Sequence, residues 1–378
     1  MSASEELEAL LSESIEGCRA REQSAFDRIA VSATSLVLFG AGGLGKKLLR
    51  RLRQDGVEPV GFVDNRLAGR EVEGVAVLTP AEAAERWGQS AVFVVSIWAS
   101  WADAMKDQIQ SLRHLGCRTV VSVLPLLWKY PDLLPHVQID LPSRALEHKE
   151  KIRRAFDLWA DEDSRGEFIA QLKWRLQGDF DALRPPVADE YWQKDLVRLS
   201  DEAVYVDAGA CDGDTLEQFV LFVHGDFRRA YAFEPDAGNF AALRKRVEQM
   251  PAATAQRVQV MPFAVAEGNY DVSFSGGAGA SSAAGSGSEM VRCVKLDDAI
   301  RERVDLIKYD IEGFELLGLQ GSRRLIQDFR PSLAVCAYHL QSHLWEIPLL
   351  IASLQQGYRF YLRPHGQIWE TVCYAVPS

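Results

Sequence analysis

Apolar residues come in short β-prone runs separated by amphipathic stretches, and this alternation occurs twice along the chain. In the first half, Ser35–Phe39 reads as a strand, Lys46–Arg53 as a helix and Val60–Val63 as a second strand. A hairpin around Gly69–Leu78, a helix Pro80–Trp87, a buried strand Ala91–Ser96, a helix ending at Leu115 and a strand Thr119–Val123 follow. In the second half, strands are expected at Val204–Val206, Ala230–Phe233, Val258–Pro262, Leu306–Asp310 and Leu333–Tyr338. Helices fall after Asp214, over Asp236–Gln249 and over Trp345–Leu354, and Tyr358–Leu362 with Thr371–Val376 reads as a closing hairpin. Strands alternating with helices predict parallel sheets covered on both faces. The expected fold is therefore α/β, with two Rossmann-like doubly wound domains and an antiparallel edge hairpin on the second.

The remaining segments are less periodic. Glu5–Arg21 has the spacing of one amphipathic helix, with Leu7, Leu10, Leu11 and Ile15 on one face. Pro125–Pro142 is rich in proline and aromatics and reads as the connection out of the first domain. Leu146–Trp159 and Glu167–Leu176 are helical by spacing. Tyr191 and Trp192 follow the break at Pro185-Pro186, and either line an acceptor pocket or pack onto the second domain. Ser273–Ser288, including Ser281 and Ser282, is a Gly/Ala/Ser loop and a candidate lid. The expected boundaries are an N-terminal helix over 1–34, a nucleotide-binding domain over 35–140, a helical connector with acceptor-side residues over 141–200, and a catalytic domain over 201–378.

Composition narrows the class. The chain has 378 residues, 47% hydrophobic and 25% charged, which suits two or three domains with ordinary cores. Its net charge of −11 argues against nucleic acid and anionic membranes as partners. Six scattered cysteines show neither a disulfide frame nor a zinc spacing. With no signal-peptide core at the start and no apolar run of spanning length, a cytoplasmic protein is expected.

The densest chemistry lies in Val204–Thr215. Asp207 ends the strand, Gly209 and Gly213 allow a tight turn with close ligand approach, and Asp214 and Thr215 can cap the next helix. Glu234, at the end of the next strand, is placed to accept hydrogen bonds from both ribose hydroxyls of an adenosine-containing cofactor, and Phe263 and Ala264 to flank its adenine. Acids around the glycines repel a pyrophosphate but welcome a sulfonium tail, which favours S-adenosylmethionine. In the first half, Gly40, Gly42 and Gly45 make a full Gly-x-Gly-x-x-Gly turn between strand and helix, with Asp64 about 20 residues on. That pattern reads as a nucleotide or nucleotide-sugar site, or as a scaffold that has lost its ligand; no arginine directly follows Asp64 to favour NADP. Lys308, Asp310 and Glu312 alternate along a strand that should be buried, so they are paired or functional. His339 ends the neighbouring strand beside the same crevice and is the candidate general base, with Asp310 as its orienter and Glu312 as the alternative base. Arg363, His365 and Trp369 lie near the final turn, and no set of metal ligands stands out.

Residues from about 190 onward resemble the FkbM family of methyltransferases. The match rests on Tyr205–Thr215, Phe233-Glu234-Pro235, Lys295-Leu296-Asp297-Asp298 and Ile307–Glu315, with Tyr338-His339 and Leu344–Pro348 in the same order. The resemblance implies a class I methyltransferase sheet and S-adenosylmethionine-dependent O-methylation of a sugar or natural-product hydroxyl. It carries cofactor roles onto Asp207, Gly209, Glu234 and Asp310. Family members often have a histidine directly after the Tyr-Leu-Arg found here at Tyr361–Arg363; this chain has Pro364 there and His365 one later. Residues 35–123 resemble the nucleotide-binding domain that precedes some sugar acyltransferases. The expected partner is a small hydroxylated acceptor, and self-association stays open. Two rivals remain: an NAD-dependent oxidoreductase using the N-terminal glycine loop, and a non-catalytic nucleotide-sugar-binding assembly protein.

Overall fold

In the computed structural model, the apolar runs of the first half pair into a six-stranded sheet. Its strands are β1 Ser35–Phe39, β2 Gly61–Val63, β3 Glu71–Val72, β4 Val75–Leu78, β5 Ala91–Val95 and β6 Thr119–Ser122, in the order β3-β4-β2-β1-β5-β6. Only the β3–β4 pair is antiparallel. Val37, Leu38, Phe62, Val63, Phe93 and Val94 are fully buried, because helices cover both faces and leave polar residues no outlet. The β3–β4 turn places Glu73 and Gly74 both at positive φ, the backbone that matches strand twist in a two-residue hairpin.

The structure describes residues 2–30, 35–97, 102–134, 138–275, 283–284, 289–365 and 370–378. The chain divides into two units. The first holds residues up to His148 together with Ile169–Arg184; the second holds Lys149–Phe168 and nearly everything after Pro185. The expected connector 141–200 is thus shared between them, and Trp174 and Phe180 belong to the first unit's core.

Several expectations need correction. The N-terminal helix is two, Ala3–Leu11 and Ile15–Ala30, since Ser12 caps one and the Ser14 hydroxyl accepts the Gly17 N–H at 3.0 Å. Pro125–Pro142 is not an irregular exit: Leu124–Lys129 is a helix whose Leu124, Leu126, Leu127 and Trp128 are buried in the first core. Proline here sits at the start of the helix, where its missing N–H costs nothing. The predicted helix Leu146–Trp159 is broken into Pro142–Leu146 and Lys149–Leu158. Of the candidate lid, residues 276–282 and 285–288 lie outside the described residues, as does Trp369.

In the second unit the strands are β7 Val204–Ala208, β8 Arg229–Phe233, β9 Val258–Met261, β10 Ala264–Val265, β11 Asp271–Ser275, β12 Ala283–Ala284, β13 Glu289–Val294, β14 Leu306–Tyr309, β15 Ser332–Cys336, β16 Tyr358–His365 and β17 Glu370–Pro377. The main sheet runs β16-β17-β15-β14-β7-β8-β9, parallel except for β17, which is antiparallel to both its neighbours. A small sheet, β10-β13-β11-β12, was not anticipated. After β9 the chain crosses to the other side of β7 and continues as β14. That reversal opens a crevice above the carboxyl ends of β7 and β14, where α/β sheets bind ligands.

Candidate active site

Above that crevice lies a cavity of about 300 Å³. Gly209, Asp214, Thr215, Glu234, Phe263, Ala264, Asp310 and Glu312 all line it, as do Glu190, Tyr191, Lys308 and Tyr338. Asp207, Gly213 and His339 do not.

The first correction is Asp207, which sits inside β7 rather than after it. It is wholly buried; its Oδ1 is 2.9 Å from Lys308 Nζ, and its Oδ2 accepts the Thr215 hydroxyl at 2.6 Å. The register of β7 against β14 makes Asp207 and Lys308 direct neighbours. Burial alone would lower the Lys308 pKa, but Asp207 and then Asp310 outweigh it and hold the ammonium charged. The same ammonium donates to the Gly209 carbonyl at 2.6 Å. Asp207 therefore shapes the floor beneath the cavity and does not line it. Thr215 is likewise no cap: the helix Asp214–Phe222 starts from Gly213, at φ 90°, without a side-chain cap.

Glycine is required at two of these turns. At Gly209 (φ 81°) a Cβ would lie 1.8 Å from the Asp310 carbonyl oxygen, and at Gly213 it would lie 2.8 Å from Leu243 Cδ1. Glu234 ends β8 and is 5% exposed. Its Oε2 accepts the Cys211 N–H and its Oε1 the Asp236 N–H, both at 2.8 Å, so the carboxylate is oriented while lone pairs remain. Burial raises its pKa, and those N–H donors oppose the rise.

Asp310 follows β14 and accepts the Tyr191 hydroxyl at 3.1 Å and the Tyr338 hydroxyl at 3.4 Å. Glu312, at φ 53°, is pushed up to about 7, first by burial and then, against His339, by Asp310, Glu315 and Glu234. Glu190 was missed by the sequence reading; burial, then Asp310 and Glu370, push it up to about 7 as well. It stands between Asp189 and Tyr191, both non-glycine residues at positive φ, a strained backbone that no sequence pattern announces. Trp192 packs on Tyr205, Phe219 and Phe222 and does not reach the cavity.

The expected role of His339 as base is corrected too. It is 2% exposed, its Nδ1 is 2.8 Å from Glu315 Oε1, and its pKa is raised to about 9: burial opposes the charge, but Glu315, Asp310 and Glu312 outweigh it. A histidine already protonated at neutral pH cannot take a proton. His365 is also buried away from the cavity. The Val187 carbonyl can only accept, so His365 Nδ1–H donates to it at 3.0 Å; in the neutral ring Nε2 then accepts the Tyr374 hydroxyl at 2.8 Å, whose oxygen accepts the Tyr191 N–H at 3.0 Å. That neutral tautomer is favoured by burial, which lowers its pKa to about 4.

The two histidines predict a dome of stability against pH. His339, raised from 6.5 to about 9, contributes stability that is complete below 6.5 and lost as pH rises through 9. His365, lowered from 6.5 to about 4, costs stability as pH falls from 6.5 through 4, where the unfolded chain binds the proton first. Thermal melts should show both limbs, His339→Gln flattening the alkaline one and His365→Gln the acid one.

In the first unit, Asp64 Oδ2 accepts the Ala41 N–H at 3.1 Å and Oδ1 accepts Arg66 and Leu67 N–H. At Gly45 a Cβ would lie 1.9 Å from the Gly40 carbonyl oxygen, while Gly42 faces open space. The helix Gly43–Gln54 starts without a side-chain cap. Among the described residues no helix is long and apolar enough to cross a membrane.

Residues 207–360 match the family model of the methyltransferase FkbM domain. The crystal structure of a methyltransferase FkbM from Methylobacillus flagellatus KT has a TM-score of 0.74 and 22% identity, covering 96% of this chain and 99% of that one. Fibrillarin of Aeropyrum pernix, with natively bound S-adenosyl-L-methionine, gives a TM-score of 0.32 and 11% identity over 48% of this chain and 71% of that one. An rRNA methylase from Streptococcus thermophilus gives 0.31 and 15%, over 47% and 89%. No curated protein matches the chain. Residues 207–360, within the second unit, thus match a methyltransferase FkbM domain, and the chain shares the fold of a methyltransferase FkbM.

Proposed function

We propose that the second unit transfers a methyl group from S-adenosylmethionine to a hydroxyl of a small acceptor such as a sugar or natural product. The observation that carries this reading is the charge of the cavity. Glu190, Asp214, Glu234, Asp310, Glu312 and Glu370 line it, against a single ammonium, Lys308, engaged with Asp207 and the Gly209 carbonyl. Such a lining attracts a cation and repels phosphate, so a phosphate-free acceptor fits it better than a nucleotide-sugar.

The residues suit the cofactor. The bare backbone at Gly209 allows close approach, Glu234 keeps lone pairs for ribose hydroxyls, and Phe263, Ala264 and Val265 offer an apolar edge for adenine. When bound, the cofactor supplies a methyl group already activated on a sulfonium. Asp310, held by two phenols on the cavity wall, would offset that positive charge. Glu312 removes the acceptor proton, and a carboxyl at about 7 titrates where a base is most effective at neutral pH. Glu234→Ala should weaken S-adenosylmethionine binding by about 1–3 kcal/mol in calorimetry, the cost of stranding buried polar partners. Unchanged affinity in a folded variant would remove Glu234 from the ribose.

The first unit is assigned a nucleotide or nucleotide-sugar ligand on the strength of its Gly40–Gly45 turn, open Gly42 and helix N-terminus. Full-length protein should then melt at higher temperature with members of a nucleotide panel, as any native-state binder requires. Gly42→Asp, which adds negative charge in open space, should abolish that shift and spare S-adenosylmethionine binding. No shift across the panel would return this unit to a scaffold.

A further inference from the structure

A chain of buried charge lies behind the cavity, and neither cofactor binding nor proton removal has used it. Glu315 opens the helix Glu315–Gln320 and is fully buried. Its Oε1 lies 2.8 Å from His339 Nδ1 and accepts the Ile311 N–H at 2.9 Å, while its Oε2 lies 3.0 Å from His343 Nδ1. The far nitrogen of His339, Nε2, stands 3.5 Å from Asp310 Oδ1 and 3.5 Å from Glu312 Oε2. Glu315 does not line the cavity, and His339 is the group that stands between it and the two carboxylates that do.

We propose that Glu315 is a positioning residue of the methyl-transfer site: by keeping His339 an imidazolium, it allows Asp310 and Glu312 to be ionised side by side. The inference rests on the assignment of Glu312 as proton acceptor. Two neighbouring carboxylates resist double ionisation, and a cation equidistant from both offsets that repulsion. A buried imidazolium is itself costly unless paired, and Glu315 supplies the pair. The groups facing Glu312 are His339, which lowers its pKa, and Asp310, Glu315 and Glu234, which raise it. Those facing His339 are Glu315, Asp310 and Glu312, and those facing Glu315 are His339 and His343. Loss of the imidazolium charge therefore drives the Glu312 carboxyl upward. Glu315 also steadies the turn that presents Glu312: Glu312 and Gly313 are at φ 53° and 100°, and the Gly313 N–H points to Glu315 Oε1 at 3.4 Å.

The test compares full-length affinities for S-adenosylmethionine and S-adenosylhomocysteine by calorimetry from pH 5 to 9. The two ligands differ by the methyl group and its positive charge, so their affinity ratio reports ionisation of the carboxylates around the sulfur. In the wild type the ratio should rise with pH about a midpoint near 7, the value at Glu312. Glu315→Gln should move that midpoint up by about one unit, a tenfold change in proton affinity, and His339 should titrate at lower pH in NMR. His339→Gln should move it up further, because the Glu315 carboxylate stays and itself raises Glu312, and adding Glu315→Gln should bring the midpoint back toward that of Glu315→Gln alone. A folded variant that loses stability but keeps the midpoint overturns the proposal; if Glu315→Gln does not fold, His339→Gln decides. A wild-type ratio flat across the range would instead overturn the Glu312 assignment, and this inference with it.

Discussion

Glu312→Gln should lower methyl-transfer turnover by about 10²–10⁴-fold, the usual effect of removing a general base, with S-adenosylmethionine affinity changed only a few-fold. A hydroxyl acceptor ionises far above neutrality, so its proton must leave as the new C–O bond forms. Glu312 lines the cavity, and burial pushes its carboxyl up to about 7, into the range where a base can act at neutral pH. Glutamine keeps the shape and removes the proton acceptor. His339→Gln should cost far less, because it only makes Glu312 harder to ionise. Single-turnover assays on both variants settle the order. Full turnover in Glu312→Gln would transfer the role to Glu190, the other cavity carboxyl at about 7.

The largest stability effect is expected at Lys308. Lys308→Met should destabilise the second unit by about 3–5 kcal/mol, the cost of leaving a buried charge without its partner. Lys308 is 1% exposed and Asp207 is fully buried, so water cannot replace the lost ammonium. The Gly209 carbonyl loses its donor as well. Adding Asp207→Asn should recover part of the loss, since the stranded charge disappears while Thr215 keeps a partner. Urea unfolding followed by tryptophan fluorescence measures both. Equal midpoints for wild type and Lys308→Met would show that the pair contributes nothing net.

Much of the fold follows from local pattern. Fully apolar runs such as Val92–Val95 and Val204–Val206 have one stable place, a strand covered on both faces, and the glycines after β1 and β7 admit only turns. The acids at strand ends, Asp64, Glu234 and Asp310, were legible because parallel sheets deliver ligand groups at their carboxyl edge. Irregular segments were harder: Leu124–Lys129 hides a helix because burial of its leucines in a core, not its own periodicity, decides the conformation.

By itself the sequence determined the alternation of strands and helices, the glycine turns, the family motifs and several of the crevice carboxylates, Asp214, Glu234, Asp310 and Glu312 among them. Tertiary structure alone decided what each of those residues does. Register placed Lys308 opposite Asp207 and turned a presumed cofactor contact into a buried ion pair. The Glu315 carboxylate, outweighing the cost of burial, favours His339 as a cation rather than a base, and a strained turn at Glu190, 120 residues upstream of Asp310, brought another carboxyl to it. The reason is that a side chain's type is local, whereas its charge state depends on which distant groups share its low-dielectric surroundings.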